Sequence, residues 1–174
     1  MTAEALVIVD VQHGFLDGLV AADAMTSALE RLLAAARSAG ALVVHLQDVG
    51  GSDSRIPPDS PGRALVLAPQ EGEVVVRKET DDGFKGTDLE RVLRDSGVST
   101  VVIGGLQSEM CVSATARGAM AHGFTVVLPH DAHATYDIEG VGAEQIRLVA
   151  EHALGDRAVL VTTSAEVGFG RPRR

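Results

Sequence analysis

Tryptophan is missing from the sequence, and aromatic residues of all kinds make up only 3% of its 174 residues. A packed core must therefore be built from valine, leucine, isoleucine and alanine. With 45% hydrophobic residues, the composition predicts a folded globule rather than a disordered chain. The length suits one domain spanning residues 1–174, with enough chain to bury a sizeable core.

Cysteine is almost as scarce, because Cys111 is the sole thiol. One cysteine cannot close an intramolecular disulfide, which excludes a disulfide scaffold and favours a reducing compartment. The first residues carry no basic region and no long apolar segment, so no signal peptide is predicted. No segment approaches the roughly 18 apolar residues of a membrane-spanning helix. These absences predict a cytoplasmic protein with no membrane partner.

Positive charge is also in short supply, since 15 Lys and Arg face 24 Asp and Glu for a net charge of −9. Binding to nucleic acid needs clustered Lys and Arg opposite the phosphates. The charge balance therefore argues against a nucleic-acid partner and leaves a small-molecule ligand as the expectation.

Short apolar runs alternate with helical patterns along the chain. Runs without polar alternation are typical of strands that are covered on both faces of a parallel sheet. Six such runs are predicted as strands, at residues 5–9, 41–46, 73–77, 99–103, 124–128 and 158–161. Their alternation with helices predicts an α/β fold, a three-layer α/β/α sandwich around a six-stranded, mostly parallel, Rossmann-like sheet.

Capping residues suggest where the helices begin and end. Asp23 is predicted to cap a helix that Gly40 ends, and residues 87–90 have the pattern of a capping box. A third helix is predicted over residues 111–122 and a fourth over residues 142–153.

Two segments have no regular pattern. Glycine and proline interrupt residues 48–72, and a loop of this length is usually either functional or disordered. We favour a lid or pocket wall, with a short helix near residues 63–67. The C-terminal residues 168–174, with Arg171, Arg173 and Arg174, are predicted to form a mobile, solvated tail.

Three reactive side chains share one topological position, because Asp10, Lys78 and Cys111 each follow a predicted strand, directly or within the next turn. The carboxyl ends of parallel strands meet at one edge of the sheet, where ligand sites occur. The three side chains should converge if the first, third and fourth strands are neighbours. A cysteine at a helix start near an ammonium group should have a lowered pKa and act as a nucleophile. The alternative is an inert buried cysteine beside an aspartate that only caps a turn.

Several motifs, in order along nearly the whole chain, resemble those of the isochorismatase-like cysteine hydrolases. They are residues 6–12 with Phe15, Lys78 with Phe84 and residues 87–89, residues 105–112 with residues 115–116, and residues 131–132. The resemblance implies a catalytic triad of Asp10, Lys78 and Cys111. In it Cys111 forms a thioester, and Asp10 serves as general base and then general acid. It also implies a cis peptide bond at Leu106–Gln107, which would aim the backbone N–H groups of Gln107 and Cys111 at an oxyanion.

Departures from the family pattern narrow the expected activity. Nicotinamidases carry an Asp-x-His metal motif after the second strand, whereas here Asp48 is followed by valine and glycine, and no histidine lies between His45 and His122. Neither a metal nor another cofactor is predicted. Retention of Cys111 favours cleavage of an amide-like C–N bond in an amide, lactam or carbamoyl compound. The Gln-Ser-Glu-Met-Cys turn resembles that of the metal-free streptothricin hydrolases, which open a lactam.

Two other functions remain open on the sequence alone. Asp10 could protonate a vinyl ether, as in true isochorismatases, which do without the cysteine. The fold could also serve as a non-enzymatic binder of small molecules. Self-association as a homodimer or homotetramer is expected from the apolar second half of the chain.

Candidate substrate-binding residues surround the predicted triad in sequence, and three of them have an alternative role. The two phenylalanines could equally pack in the core, and Glu109 could bind a cationic group or face solvent. His130 and His133 are close enough for a metal pair but lack a carboxylate partner. The candidates are Gln12, Phe15, Phe84, Glu109 and Tyr136.

Overall fold

A computed structural model describes residues 2–50 and 55–172. Its strands are β1 (Thr2–Ala3), β2 (Ala5–Val9), β3 (Leu42–Asp48), β4 (Val74–Lys78), β5 (Thr100–Leu106), β6 (Thr125–Pro129), β7 (His133–Ala134), β8 (Ala158–Val161) and β9 (Gly168–Phe169). Its α-helices are α1 (His13–Leu16), α2 (Ala22–Ala39), α3 (Leu89–Asp95), α4 (Ser113–Ala121) and α5 (Ala143–His152). A π-helical turn covers Ser108–Val112, and 3-10 turns cover Pro61–Arg63, His130–Ala132, Gly155–Arg157 and Ser164–Glu166.

The main sheet has the strand order β4-β3-β2-β5-β6-β8, and every neighbouring pair is parallel. The short β7 pairs with the end of β5. All six predicted strands are present, which confirms the α/β class and the mostly parallel sheet. None of the helices in the described residues is long and apolar enough to span a bilayer.

The sheet separates two apolar layers. Successive side chains of a strand point to opposite faces, so Leu6 and Ile8 of β2 pack in one cluster with α2, and Val7 and Val9 pack in the other with α3 and α4. All five residues of β2 are buried. The buried strand predicted from an unbroken apolar run is therefore confirmed, together with its exact place between two covering layers.

Two predicted helix starts are wrong. Helix α2 begins at Ala22 after a left-handed Ala21, so Asp23 lies inside the first turn rather than at the cap. Helix α3 begins at Leu89, and the predicted capping box does not form. The Thr87 hydroxyl accepts from the Leu89 N–H, while Glu90 pairs with Arg94 across one helical turn.

The loop between β3 and β4 is packed where it is described. Ile56 and Leu67 are buried in the core cluster that contains α2, and the short helix predicted near residues 63–67 is a 3-10 turn at Pro61–Arg63. The Arg63 guanidinium donates to the carbonyls of Asp48, Gly50 and Ile56. This segment is therefore packed against the core where it is described, and its role as a lid or pocket wall stays a prediction. Residues 51–54 lie outside the described chain.

The prediction of a mobile C-terminal tail is wrong for its first residues. Strand β9 pairs in parallel with β1, and the Gly170 N–H donates to the Ala3 carbonyl. The two segments lie at opposite ends of the sequence, so no local pattern could reveal the pairing. Arg173 and Arg174 lie outside the described residues.

Glycines let the end of β5 approach β2 closely. Gly105 has a φ of 127°, and a Cβ at this position would collide with the backbone of Val9. A Cβ on Gly104 would lie 2.7 Å from the Ala132 carbonyl oxygen. Only glycine fits both the conformation and the space. The close approach brings the turn after β5 beside the end of β2, where Asp10 lies.

Candidate active site

The three predicted reactive residues meet at the carboxyl edge of the sheet. Asp10 follows β2 directly, Lys78 is the last residue of β4, and Cys111 lies in the π-helical turn after β5. The expectation that their strands are neighbours is wrong for Lys78, because β3 separates β4 from β2. Neighbouring strands are about 4.8 Å apart, so β4 and β2 are separated by roughly 10 Å. The side chains of Lys78 and Asp10 together span this distance above β3. A shorter cation at position 78 could not reach.

Lys78 connects the other two residues. Its Nζ lies 2.7 Å from Oδ2 of Asp10 and donates to Sγ of Cys111 at 3.4 Å. A third bond goes to the carbonyl oxygen of Thr80 at 3.0 Å. These three partners use all three N–H donors of the ammonium group, which fixes it in place.

Asp10 is held ready to accept a proton. It is 2% exposed and has a φ of 53°, a left-handed conformation that aspartate tolerates better than most residues. Its Oδ1 has no hydrogen-bond partner among the described residues. Burial raises the pKa of Asp10 to about 6, against the attraction of Lys78, which lowers it.

The expected lowering of the thiol pKa is wrong. Burial raises the pKa of Cys111, and the nearby Asp10 carboxylate raises it further, while Lys78 lowers it by less. Burial also lowers the pKa of Lys78, but the attraction of Asp10 and Cys111 outweighs this and keeps that pKa above its usual value. The resting site therefore combines a thiol, an ammonium group and, above pH 6, a carboxylate.

The turn that carries Cys111 differs from the predicted helix. Residues 108–112 form a π-helical turn, and helix α4 begins only at Ser113. The peptide bond between Leu106 and Gln107 is cis, at the position that the family resemblance implied. Gln107 and Cys111 both line the cavity beside the thiol.

A cavity of about 240 Å³ opens beside the thiol. Phe15 lines it, as the sequence predicted, and so do five residues that the sequence analysis did not select as site residues. The complete lining is Asp10, Phe15, Asp48, Arg55, Asp81, Leu106, Gln107, Met110 and Cys111. Oδ1 of Asp81 lies 3.5 Å from the sulfur. Asp48 is the last residue of β3 and Asp81 lies three residues after the end of β4, so both are at the carboxyl edge of the sheet that identified Asp10.

The other candidate substrate-binding residues lie outside this cavity. Gln12 is fully buried, and its amide bonds to the backbone of Asp48 and Arg63. Phe84 packs in the core against His122, with ring centroids 5.1 Å apart. Phe84 therefore packs in the core, which was its predicted alternative. Gln12 also has a structural role, because its amide bonds to the backbone. Glu109 lines a separate groove between α4 and α5.

Tyr136 supports the cavity from behind. Its hydroxyl donates to the carbonyl of Phe15, and the guanidinium of Arg55 lies 4.2 Å from the centre of its ring. Tyr136 therefore positions two residues of the cavity lining without being one of them.

A buried polar chain behind the nucleophile turn was not predicted. Nδ1 of His133 lies 2.8 Å from Oγ of Ser108, and its Nε2 lies 3.0 Å from Oε1 of Glu151. The same carboxylate oxygen lies 2.7 Å from Nδ1 of His130. Burial lowers the pKa of His133, although Glu151 raises it, so the ring is neutral at pH 7. In the neutral ring Nε2–H donates to Glu151 and Nδ1 accepts from the Ser108 hydroxyl. These two bonds connect the turn that carries Cys111 to α5.

Loss of this chain should weaken the fold. We expect His133→Leu to lower the free energy of unfolding by about 2 kcal/mol, because Ser108 and Glu151 lose a buried partner. Urea unfolding at neutral pH measures this. His152→Leu, at an exposed position of α5 next to Glu151, is the matched control and should change stability by less than about 0.5 kcal/mol. Equal effects of the two substitutions would contradict the proposed role of His133.

Residues near Asp48 do not fit the metal site of the nicotinamidases. Oδ1 of Asp48 accepts from the Gly50 N–H at 2.6 Å and lies 3.9 Å from Nη1 of Arg63. The described chain contains no group of three or more His, Cys, Asp and Glu side chains arranged to bind a metal ion.

Comparisons with known proteins agree with this architecture. Residues 4–166 match the isochorismatase domain family. Two streptothricin hydrolases from Streptomyces noursei are each 46% identical to the chain, covering 98% and 97% of it; the chain spans 73% and 66% of their lengths. A maleamate amidohydrolase from Pseudomonas putida is 32% identical over 78% of both proteins.

Solved structures give the same result. An isochorismatase from Pseudomonas putida KT2440 superposes with a TM-score of 0.87 and 32% identity, covering 94% of this chain and 90% of that one. The chain belongs to the isochorismatase family of hydrolases. The resemblance to streptothricin hydrolases that the nucleophile turn suggested is confirmed by similarity along almost the whole chain.

Proposed function

We propose that the protein is a cysteine hydrolase that cleaves an amide-like C–N bond of a small molecule through a thioester on Cys111. The observation that carries the proposal is the contact of one lysine with both Asp10 and the sulfur, at 2.7 and 3.4 Å. This arrangement joins a nucleophile, a proton acceptor and a fixed positive charge beside a cavity. Nucleophilic catalysis requires a nucleophile and a base within such reach of one another.

The raised pKa of the thiol sets the order of proton transfer. Asp10 takes the Sγ proton as the sulfur attacks the carbonyl carbon, and Lys78 stabilises the negative charge that develops on sulfur. Backbone N–H groups of Gln107 and Cys111 stabilise the oxyanion. Asp10 then gives the proton to the departing nitrogen, the C–N bond breaks, and a thioester remains.

Hydrolysis of the thioester uses the same residues in reverse roles. Asp10, now ionised again, removes a proton from water, which attacks the thioester carbonyl. The carbon–sulfur bond breaks, the sulfur recovers the proton, and the carboxylic acid leaves. Asp10 therefore acts in turn as a base and as an acid. A pKa of about 6 allows both roles at neutral pH, because it lies close to the working pH.

A lactam is the substrate class that we favour within the amides. The support is the 46% identity to streptothricin hydrolases, compared with 32% to the maleamate amidohydrolase. The carboxylates of Asp48 and Asp81 beside the cavity suit a substrate with a cationic group near the scissile bond. The protein is expected to act in the cytoplasm and without a cofactor.

A substrate panel tests the proposal. Wild-type protein is incubated with streptothricin, with maleamate and with simple amides and lactams, and products are identified by mass. Ring opening adds one water to streptothricin without releasing a fragment, whereas cleavage of maleamate releases ammonia. Activity on the lactam that disappears in Cys111→Ala supports the proposal. Hydrolysis of neither lactams nor amides would contradict it.

The pH profile should report the ionisation of Asp10. A protonated Asp10 cannot accept the thiol proton, so kcat/KM is expected to fall as the pH drops through about 6. Activity should be retained above that pH because Lys78 keeps its charge. The profile is measured with the best substrate of the panel. A rate that stays constant well below pH 6 would exclude Asp10 as the base.

A further inference from the structure

An exposed carboxylate, that of Asp81, lies in the cavity wall beside the nucleophile. The Cys111 thiol is within hydrogen-bond distance of its Oδ1, with the sulfur 3.5 Å away. No lysine, arginine or histidine among the described residues forms an ion pair with this carboxylate, whereas Asp10 is paired with Lys78. The proposed catalytic steps leave Asp81 without a role in the chemistry.

The charges that act on the sulfur are unbalanced. They are the carboxylates of Asp10 and Asp81 and the ammonium group of Lys78. Burial raises the pKa of Cys111 most, Asp10 raises it next, and Asp81 acts in the same direction. A thiolate adds a further negative charge to a site in which acids already outnumber bases. The resting nucleophile therefore lacks a positive charge near Asp81.

The cavity lining attracts a cation from solution. Asp48 adds another carboxylate to those of Asp10 and Asp81 in the wall. Arg55 is the one basic side chain of the lining within the described residues. Its guanidinium lies over the ring of Tyr136, 4.2 Å from the ring centre, and makes no ion pair with Asp81. A cleft with an excess of carboxylates favours a positively charged ligand.

We propose that a cationic group of the substrate binds to Asp81 and that this contact activates the nucleophile. The proposal rests on the nucleophilic role of Cys111 proposed above. A bound ammonium or guanidinium group offsets the charge of Asp81 and replaces the thiol as donor to its Oδ1. The developing thiolate is then opposed by Asp10 alone, whose charge disappears when it accepts the thiol proton.

The short distance between Asp81 and the sulfur limits where the cation sits on the substrate. A sulfur poised for attack lies ~3–3.5 Å from the carbonyl carbon. Asp81 is 3.5 Å from the same sulfur, so an amino group on the carbon next to the carbonyl is within its reach. The geometry therefore favours α-amino lactams and α-amino amides. A neutral analogue of the same size binds less tightly and leaves the thiol unactivated.

Alkylation of the sole thiol measures the activation without any hydrolysis. Iodoacetamide is neutral, and at neutral pH its rate of reaction with Cys111 follows the thiolate fraction. Asp81→Asn should react roughly three- to tenfold faster than wild type, an effect limited by the water that screens an exposed carboxylate. Glu79→Gln is the matched control, because it removes a negative charge from the same loop outside the cavity lining. Its rate should stay within about twofold of the wild-type rate.

Binding to Cys111→Ala protein tests the substrate class, again without turnover. Calorimetry compares 3-aminopiperidin-2-one, a cationic lactam, with its neutral 3-hydroxy analogue. The amino lactam should bind Cys111→Ala roughly tenfold more tightly than the hydroxy lactam. The preference should vanish when Asp81→Asn is added. Circular dichroism verifies that each variant is folded, and Asp81→Ala replaces Asp81→Asn if that variant is not.

The proposal requires both results. It would be overturned if Asp81→Asn reacted no faster with iodoacetamide than Glu79→Gln. It would also be overturned if Cys111→Ala showed no preference for the amino lactam, or if Asp81→Asn left that preference unchanged. Neither measurement needs a hydrolysed bond. An inactive substrate panel would therefore contradict the proposed function, while these two results still decide the role of Asp81.

Discussion

Replacing Cys111 with alanine or serine should lower the rate of hydrolysis roughly 10⁴-fold or more. The alanine variant has no nucleophile. Serine keeps the size but has a much higher pKa, and Asp10, whose pKa is only about 6, is too weak a base to compensate. Steady-state kinetics with the substrate found in the panel measures the effect.

Comparison of these variants with Asp10→Asn separates the thioester mechanism from vinyl-ether protonation. The thioester mechanism requires both residues, so all three variants should be inactive. Protonation by Asp10 alone would leave Cys111→Ser active while Asp10→Asn is inactive. Thermal unfolding of each variant shows whether inactivity comes from chemistry or from loss of the fold. An active, folded Cys111→Ser variant would contradict the nucleophilic role.

Replacing Lys78 with methionine should cost about 3–5 kcal/mol of the free energy of unfolding at neutral pH. Both charged side chains of the pair are almost fully buried, with side-chain exposures of 1% and 3%. Methionine removes the cation and leaves the Asp10 carboxylate buried without compensation. The variant should also lose activity, because the thiolate has no stabilising charge.

The loss of unfolding free energy in Lys78→Met should depend on pH through the ionisation of Asp10. Without Lys78 the folded-state pKa of Asp10 rises above about 6, while its unfolded value stays near 3.8. The penalty is therefore present above the folded pKa and disappears as the pH falls and the carboxyl becomes neutral. Urea unfolding of wild type and variant at several pH values measures it. A deficit that does not shrink in acid would contradict the assignment to Asp10.

A double variant provides the control. Asn fits the left-handed backbone at position 10, so Asp10→Asn with Lys78→Met replaces the ion pair without strain. Neither buried charge remains, and stability should return to near the wild-type value. Activity should stay absent. Recovery of stability without recovery of activity shows that the pair is kept for catalysis.

The sequence predicted the sheet and the convergence of the triad because both depend on local patterns. Unbroken apolar runs mark strands covered on both faces, and a polar residue after each run lies at the carboxyl edge. The order of the strands could not be read in this way. Lys78 reaches Asp10 across β3, which only the length of its side chain allows.

Properties that depend on burial and distant contacts were not predictable. The thiol pKa was expected to fall, but the depth of burial beside Asp10 raises it. Gln12 and Phe84 were candidates because they belong to the motifs in the sequence. In the structure Gln12 bonds to the backbone of Asp48, and Phe84 packs in the core against His122. His130 and His133 were expected to lack a carboxylate partner, which is wrong, because Glu151 contacts both from 21 and 18 residues further along the chain. His133 contacts Ser108 across 25 residues of sequence, so no local pattern indicates that bond either.

The mass of the acid-quenched protein during turnover tests the thioester most directly. For a lactam the departing nitrogen stays tethered to the acyl group, so wild type should gain the full mass of the substrate, with the adduct on Cys111 after peptide mapping. Cys111→Ala should gain nothing. Full turnover by wild type with no adduct at any quench time, together with an active Cys111→Ser variant, would contradict the thioester mechanism.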